Sequence, residues 1–125
     1  MLSLFWIILA IFIHWVADFV LQPGDLQTDQ KRDYITKHCQ SYATSFSIMT
    51  LGLWIAIGAN GTGHKLEDLA AFLLICVLTH SLIDYILIPV LYKYKNNLKM
   101  LGLSWALDQV IHVSIVIACT WYFLL

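Results

Sequence analysis

The sequence predicts an all-α protein, a bundle of four transmembrane helices with both termini on the non-cytoplasmic side. Three observations carry this. Of 125 residues, 60% are hydrophobic and 12% charged, and the mean hydropathy is +0.76, outside the usual range of a water-soluble domain. Four segments approach the roughly 20 apolar residues that a spanning helix needs. Six of the seven basic residues fall in or beside alternate connections.

The segments run over about 2–21, 39–57, 69–91 and 103–124, so residues 1–125 form one integral membrane domain with no linker. A soluble bundle would show a polar stripe at the helical period, and LFWIILAIFI and LAAFLLICVL show none. The first segment has no basic leader region and no small-residue cleavage site, so it reads as a retained helix rather than a signal peptide. Pro23 and Gly24 end it, and Gly58, Gly61 and Gly63 mark the turn after the second.

Lys31, Arg32, Lys37, Lys93, Lys95 and Lys99 lie around the first and third connections, leaving Lys65 alone in the second. The positive-inside rule makes that side cytoplasmic, in a protein with membrane lipid as its surroundings. Trp6, Trp54 and Trp121 then belong to the outer interface, Trp15 and Trp105 to the inner one. No basic run marks a nucleic acid polymer as partner. Cys39, Cys76 and Cys119 form neither a disulfide framework nor a CxxC site, and each reads as a packed thiol, with Cys39 a possible auxiliary ligand beside His38.

Against this background three polar pairs stand out: HWVAD (His14, Asp18), HSLID (His80, Asp84) and, reversed, DQVIH (Asp108, His112). Four-residue spacing puts both members of a pair on one helix face. The first and third segments run toward the cytoplasm and the fourth away from it, so the reversal gives all three pairs the same order in space. At about 1.5 Å per residue the aspartates lie ~5 to 10 Å deep and the histidines ~12 to 16 Å. HCQSY adds His38 near the carboxylate layer and Tyr42 near the imidazole layer.

Interhelical hydrogen bonding alone could explain one such pair. Three pairs, with no Lys or Arg inside the spans to neutralise Asp18, Asp84 and Asp108, point to a cation. The expected metal ligands are His14, Asp18, His80, Asp84, Asp108 and His112. Imidazole with carboxylate suits one or two divalent transition metals, zinc first and manganese, iron or cobalt next. A two-metal site could activate water for attack on phosphorus or a carbonyl. His38 is a further ligand or general acid/base, and Gln22 and Gln109 are candidates to hold a ligand or substrate. Haem would use the histidines but leave the carboxylates without a role. Tyr34 and Tyr85 read as interface aromatics, and Asp25, Asp29 and Asp33 as a solvated face and helix start. His64 reads as a surface residue on the far side.

HWVADFVLQ, HCQSY, HSLIDY and DQVIH, in that order, resemble the bacterial and phage family catalogued as domain of unknown function 3307 over nearly the whole chain. That family name implies no reaction. In architecture the chain is also similar to the LexA-regulated membrane-bound metal-dependent hydrolases, a likeness that implies hydrolysis. The leading expectation is a metal-dependent hydrolase with a cytoplasm-facing site, taking a phosphoester, a nucleotide or a lipid headgroup. The HxxxD pairs also resemble transport sites of zinc exporters of the cation-diffusion-facilitator kind, so a divalent-cation transporter or channel is an alternative, one that a homo-oligomer, a dimer forming an alternating pathway, would suit. Another is a non-catalytic protein, such as a phage exclusion or regulatory factor, that the metal stabilises.

Overall fold

A computed structural model describes residues 2–24, 26, 29–58 and 65–125. Helix α1 spans Leu2–Trp15 and runs straight into a π-helical turn, Val16–Val20. Helix α2 spans Lys31–Leu53 and ends in a second π-helical turn, Trp54–Gly58; α3 spans Leu66–Tyr94 and α4 Leu98–Phe123. No strand occurs among the described residues, so the all-α class holds. His64, Asp25, Gly61 and Gly63 lie outside the described residues.

Each helix packs on its neighbours in the order α1, α2, α3, α4 and back to α1. Short connections make successive helices antiparallel. Between α3 and α4 only Lys95–Asn97 intervene, and the Asn97 side chain caps α4 by accepting from the Met100 amide at 3.2 Å. The first connection bends at Gly24, whose φ is +112°. Three bonds fasten it: Lys37 Nζ to Asp29 Oδ1 at 3.2 Å, the Ser41 hydroxyl to the Leu21 carbonyl at 2.8 Å, and the Tyr92 hydroxyl to the Asp29 carbonyl at 2.9 Å.

The buried stripe of each helix follows the helical period. On α3 it is Leu69, Phe72, Cys76, His80, Asp84, Ile88 and Leu91; on α4, Asp108, His112, Val116, Cys119 and Thr120; on α2, His38, Tyr42, Phe46 and Thr50. Leucines and aromatics point the other way, with Leu74, Leu78, Leu82, Leu107, Val110 and Trp121 all exposed. The distribution is the reverse of a water-soluble bundle, polar groups inside and hydrocarbon outside.

Two of the four helices, α3 and α4, are long and apolar enough to cross a membrane. The apolar run of the first, Leu4–Val20, is shorter. Helix α2 begins at Lys31, eight residues before the expected span. It also carries Ser41, Thr44, Ser45, Ser47 and Thr50, which dilute its hydropathy. Hydroxyls of this kind can return their hydrogen bond to the preceding turn, as Thr44 does to the Gln40 carbonyl at 2.9 Å, so hydropathy overstates their cost in lipid.

Candidate metal centre

The inward stripes bring the three His/Asp pairs and His38 to one place on the bundle axis, near the end that carries Lys37, Lys93, Lys95 and Lys99. His14, Asp18, His38, His80, Asp84, Asp108 and His112 are all buried. At their centre His38 Nε2 lies 3.0 Å from Asp18 Oδ1 and 2.9 Å from Asp84 Oδ2. His80 Nε2 lies 3.6 Å and 2.9 Å from the same two oxygens. Two imidazole nitrogens from α2 and α3 thus alternate with two carboxylate oxygens from α1 and α3.

Of these separations only His80 to Asp18 has the edge length of a coordination tetrahedron; the other three are about 0.3 Å or more shorter, so an ion would have to spread them. Bonds of about 2.0–2.2 Å to nitrogen and oxygen imply ligand-to-ligand distances of about 3.3–3.6 Å. Hydrogen bonding leaves part of the convergence unexplained, because neither His80 Nε2 nor Asp18 Oδ1 finds a partner in hydrogen-bond geometry among the described residues. The donor set fits a divalent transition ion, with Asp18, His38 and His80 as one potential ligand group and His80, Asp84 and His112 as another.

Asp84 belongs to both halves of the cluster. Its Oδ2 faces His38 and His80, while its Oδ1 lies 3.5 Å from His112 Nε2. A carboxylate so placed can bridge two ions. His112 Nδ1 in turn lies 3.4 Å from Asp108 Oδ1. Gln109 donates to Asp18 Oδ2 at 2.9 Å and to Asp108 Oδ2 at 3.1 Å, joining α4 to α1 across the site.

The three pairs, alike in sequence, differ in space. His80 and Asp84, on regular helix, approach to 2.9 Å, whereas His14 Nε2 and Asp18 Oδ2 stand 3.9 Å apart. Asp18 sits in the π-helical turn, whose Leu21 amide bonds to the Val16 carbonyl at 3.0 Å, five residues back instead of four. The widened turn gives Asp18 to His38 and Gln109 and leaves His14 behind. His14 instead pairs through Nδ1 with the Tyr42 hydroxyl at 3.0 Å. His14 and Asp108 therefore fall outside both potential ligand groups, as buried neighbours that orient the rest.

The expected layers are present: His38 stands among the carboxylates, and Tyr42 among the imidazoles, stacked on His80 with ring centroids 3.4 Å apart. Cys39 Sγ lies 4.0 Å from Asp84 Oδ2 and belongs to neither potential ligand group.

A narrow cleft of about 30 Å³ opens from the carboxylates toward the lysine-bearing end, walled by Gln22, Tyr34, Ile88, Trp105 and Gln109. Gln22 and Gln109, singled out in the sequence, both line it. Tyr34 departs from its expected role as an interface aromatic: its ring stacks on His38 at 5.9 Å with a 7° interplanar angle, and its hydroxyl accepts from Gln22. Burial pushes the Tyr34 hydroxyl above its ordinary pKa, which keeps it a neutral donor at the mouth. Its spacing four before His38 was the available signal. Tyr85, by contrast, is 69% exposed on the outer face of α3.

Toward the other end the cluster meets packed hydrocarbon: Phe46, Phe72, Cys76, Val116 and Cys119 are buried directly beyond Tyr42 and His112. A second opening, lined by Ile8, Phe12, His14, Trp15, Gln109 and Val113, reaches the cluster between α1 and α4.

A helical bundle whose outward face is largely hydrocarbon and whose axis carries a buried His/Asp cluster defines the class of protein. The chain belongs to the family described as protein of unknown function DUF3307, whose model matches residues 5–125. No curated protein and no solved structure matches it significantly.

Proposed function

We propose that the protein is a membrane-embedded metal-dependent hydrolase of the bacterial inner membrane, built on four transmembrane helices with its cleft toward the cytoplasm and both termini outside. The observation that carries this reading is the quartet of His38, His80, Asp18 and Asp84 donor atoms, 2.9–3.6 Å apart at the foot of the cleft. One or two divalent ions, zinc first, would be held by these donors together with His112, which lies 3.5 Å from Asp84 Oδ1. A bound ion supplies Lewis-acid activation of water and of an ester oxygen. The protein's own part is to hold the donors in place, to orient the reacting ester through Gln22, Gln109 and the Tyr34 hydroxyl, and to keep the far side dry.

The lysines at the cleft end support the orientation, through the positive-inside rule. The apolar packing from Phe46 to Cys119 favours a hydrolase over a transporter, because a transported ion needs polar groups along both halves of its path. A cleft reaching the donors likewise favours an open catalytic site over a closed structural one.

Elemental analysis of the purified protein beside Asp84→Ala and His112→Ala variants tests the reading. The expected result is about one to two equivalents of a transition metal in the parent, a near-complete loss in Asp84→Ala and a loss of about one equivalent or less in His112→Ala. Trace metal, equal in all three folded proteins, sinks it. Metal-dependent release of p-nitrophenol from its phosphate ester separates hydrolase from structural site, and zinc uptake into proteoliposomes would instead make the protein a transporter.

A further inference from the structure

A second hollow adjoins the cleft at Tyr34. Tyr34, Leu91 and Trp105 line the cleft and also wall an open trough of about 360 Å³, which Leu26, Leu98, Leu101 and Gly102 line as well. The trough is lined mainly by hydrocarbon, and its Tyr34 hydroxyl is engaged by Gln22. Leu98, at the start of α4, is 85% exposed. A Cβ built on Gly102 meets nothing within 4 Å, so the floor of the trough is open at the residue that has no side chain to fill it.

Polar cleft and apolar trough thus adjoin across Tyr34, Leu91 and Trp105, with the donor quartet beyond one and bare leucine along the other. Lys93, Lys95 and Lys99 stand around the α3–α4 connection beside it. Three aspartates carry three negative charges, and two divalent ions would carry four positive ones, which turns the cleft from anion-repelling to weakly anion-attracting. An amphiphile matches both ends: an anionic phosphate ester at the ions and a hydrocarbon tail in the trough. A nucleotide matches one end only, because its sugar and base would lie on leucine with their hydrogen bonds unmet. For a membrane lipid the tail never enters water on the way in, and only the headgroup has to move.

We propose that the substrate is a membrane phospholipid bearing a phosphate monoester, whose acyl chain lies in the Leu91–Leu98–Gly102–Trp105 trough while its phosphate reaches the Asp18–Asp84 donors. The inference rests on the metal-dependent hydrolase reading. In the reaction, water oxygen bonds to phosphorus, the phosphorus–oxygen bond to glycerol breaks, and the departing glycerol oxygen takes up the proton that the water gives up. The products are diacylglycerol and inorganic phosphate.

The test uses the full chain, loaded with Co²⁺ in detergent, with the visible absorption of the ion as readout. Glycerol 3-phosphate, dihexanoyl phosphatidic acid and dioctanoyl phosphatidic acid share one headgroup and differ in tail. The dioctanoyl form is expected to bind at least about tenfold tighter than glycerol 3-phosphate. Gly102→Phe, which fills the trough, and Leu98→Asn, which makes its rim polar, are each expected to erase most of that gain. Neither should change cobalt content or the affinity for glycerol 3-phosphate, and because all variants share the micelle, partitioning of the lipid cancels between them. Bound cobalt with a flat chain-length series, or a gain that survives both substitutions, overturns the lipid assignment alone. Failure of cobalt to bind overturns the metal reading and this inference with it.

Discussion

Asp84 reaches three imidazoles, those of His38, His80 and His112, within 2.9–3.5 Å, whereas Asp18 faces three over a wider 3.0–3.9 Å. The sequence gives no reason to rank it above Asp18 or Asp108, because each pair has the same spacing. Ranking needs the neighbours, and those come from other helices. The same holds for Tyr42, whose hydroxyl fixes His14 while its ring covers His80. Tyr42→Phe keeps the stack and deletes the hydrogen bond, leaving His14 Nδ1 buried without a partner. Such outer contacts tune an ion without touching it, and the expected effect is about a tenfold loss of metal affinity with the stoichiometry unchanged. Competition against a chromophoric chelator measures it; an unaltered affinity would mean that His14 is a bystander. Tyr34 shows the opposite limit of sequence reading, since an aromatic at the end of a span is as often an anchor as a wall of a cleft.

At the scale of elements, the apolar runs were legible as helices because hydropathy and length are properties of a segment by itself. Their ends were less so. Helix α2 extends back through Lys31, Arg32 and Asp33, polar residues that a membrane-length criterion excludes but that a helix standing clear of the lipid accepts. The π-helical turn was not legible at all, since it differs from regular helix by the partner of a few amides and has no composition of its own. Gly24 is clearer. Its φ of +112° is open to glycine, and a Cβ there would meet Asp29 Oδ2 at 2.9 Å, the carboxylate that holds Lys37. Gly24→Ala is expected to cost about 1–3 kcal/mol of stability, from backbone strain and the displaced ion pair. Thermal unfolding in detergent reads the change, and a melting temperature equal to the parent's would show that the connection relaxes freely.

For the whole molecule, the pattern that betrayed the site was antisymmetry: His before Asp going in, Asp before His coming out. Antiparallel packing turns that reversal into a common depth, so the assembly of the cluster was readable from order alone. What order could not supply was the division of the seven side chains into central donors and outer supports, which depends on how far each helix is rotated about its axis. The proposed orientation is open to a direct check in a background where Cys39, Cys76 and Cys119 are replaced by serine. Leu125→Cys should react with a membrane-impermeant maleimide on intact spheroplasts, and Asn96→Cys only after lysis. The reverse pattern would put the cleft on the other side of the membrane.

The π-helical turn at Val16–Val20 bears finally on how this site is to be found in other chains. A five-residue hydrogen bond accommodates one residue more than regular helix does, so HWVAD reaches the cluster with a register its two companions do not share. A chain lacking that residue could bring an HxxD pair to the same position on unbroken helix, where residues three apart share a face. Spacing in the first helix is therefore a looser signature of this site than spacing in the third and fourth, and a deletion there need not mean that the site is lost.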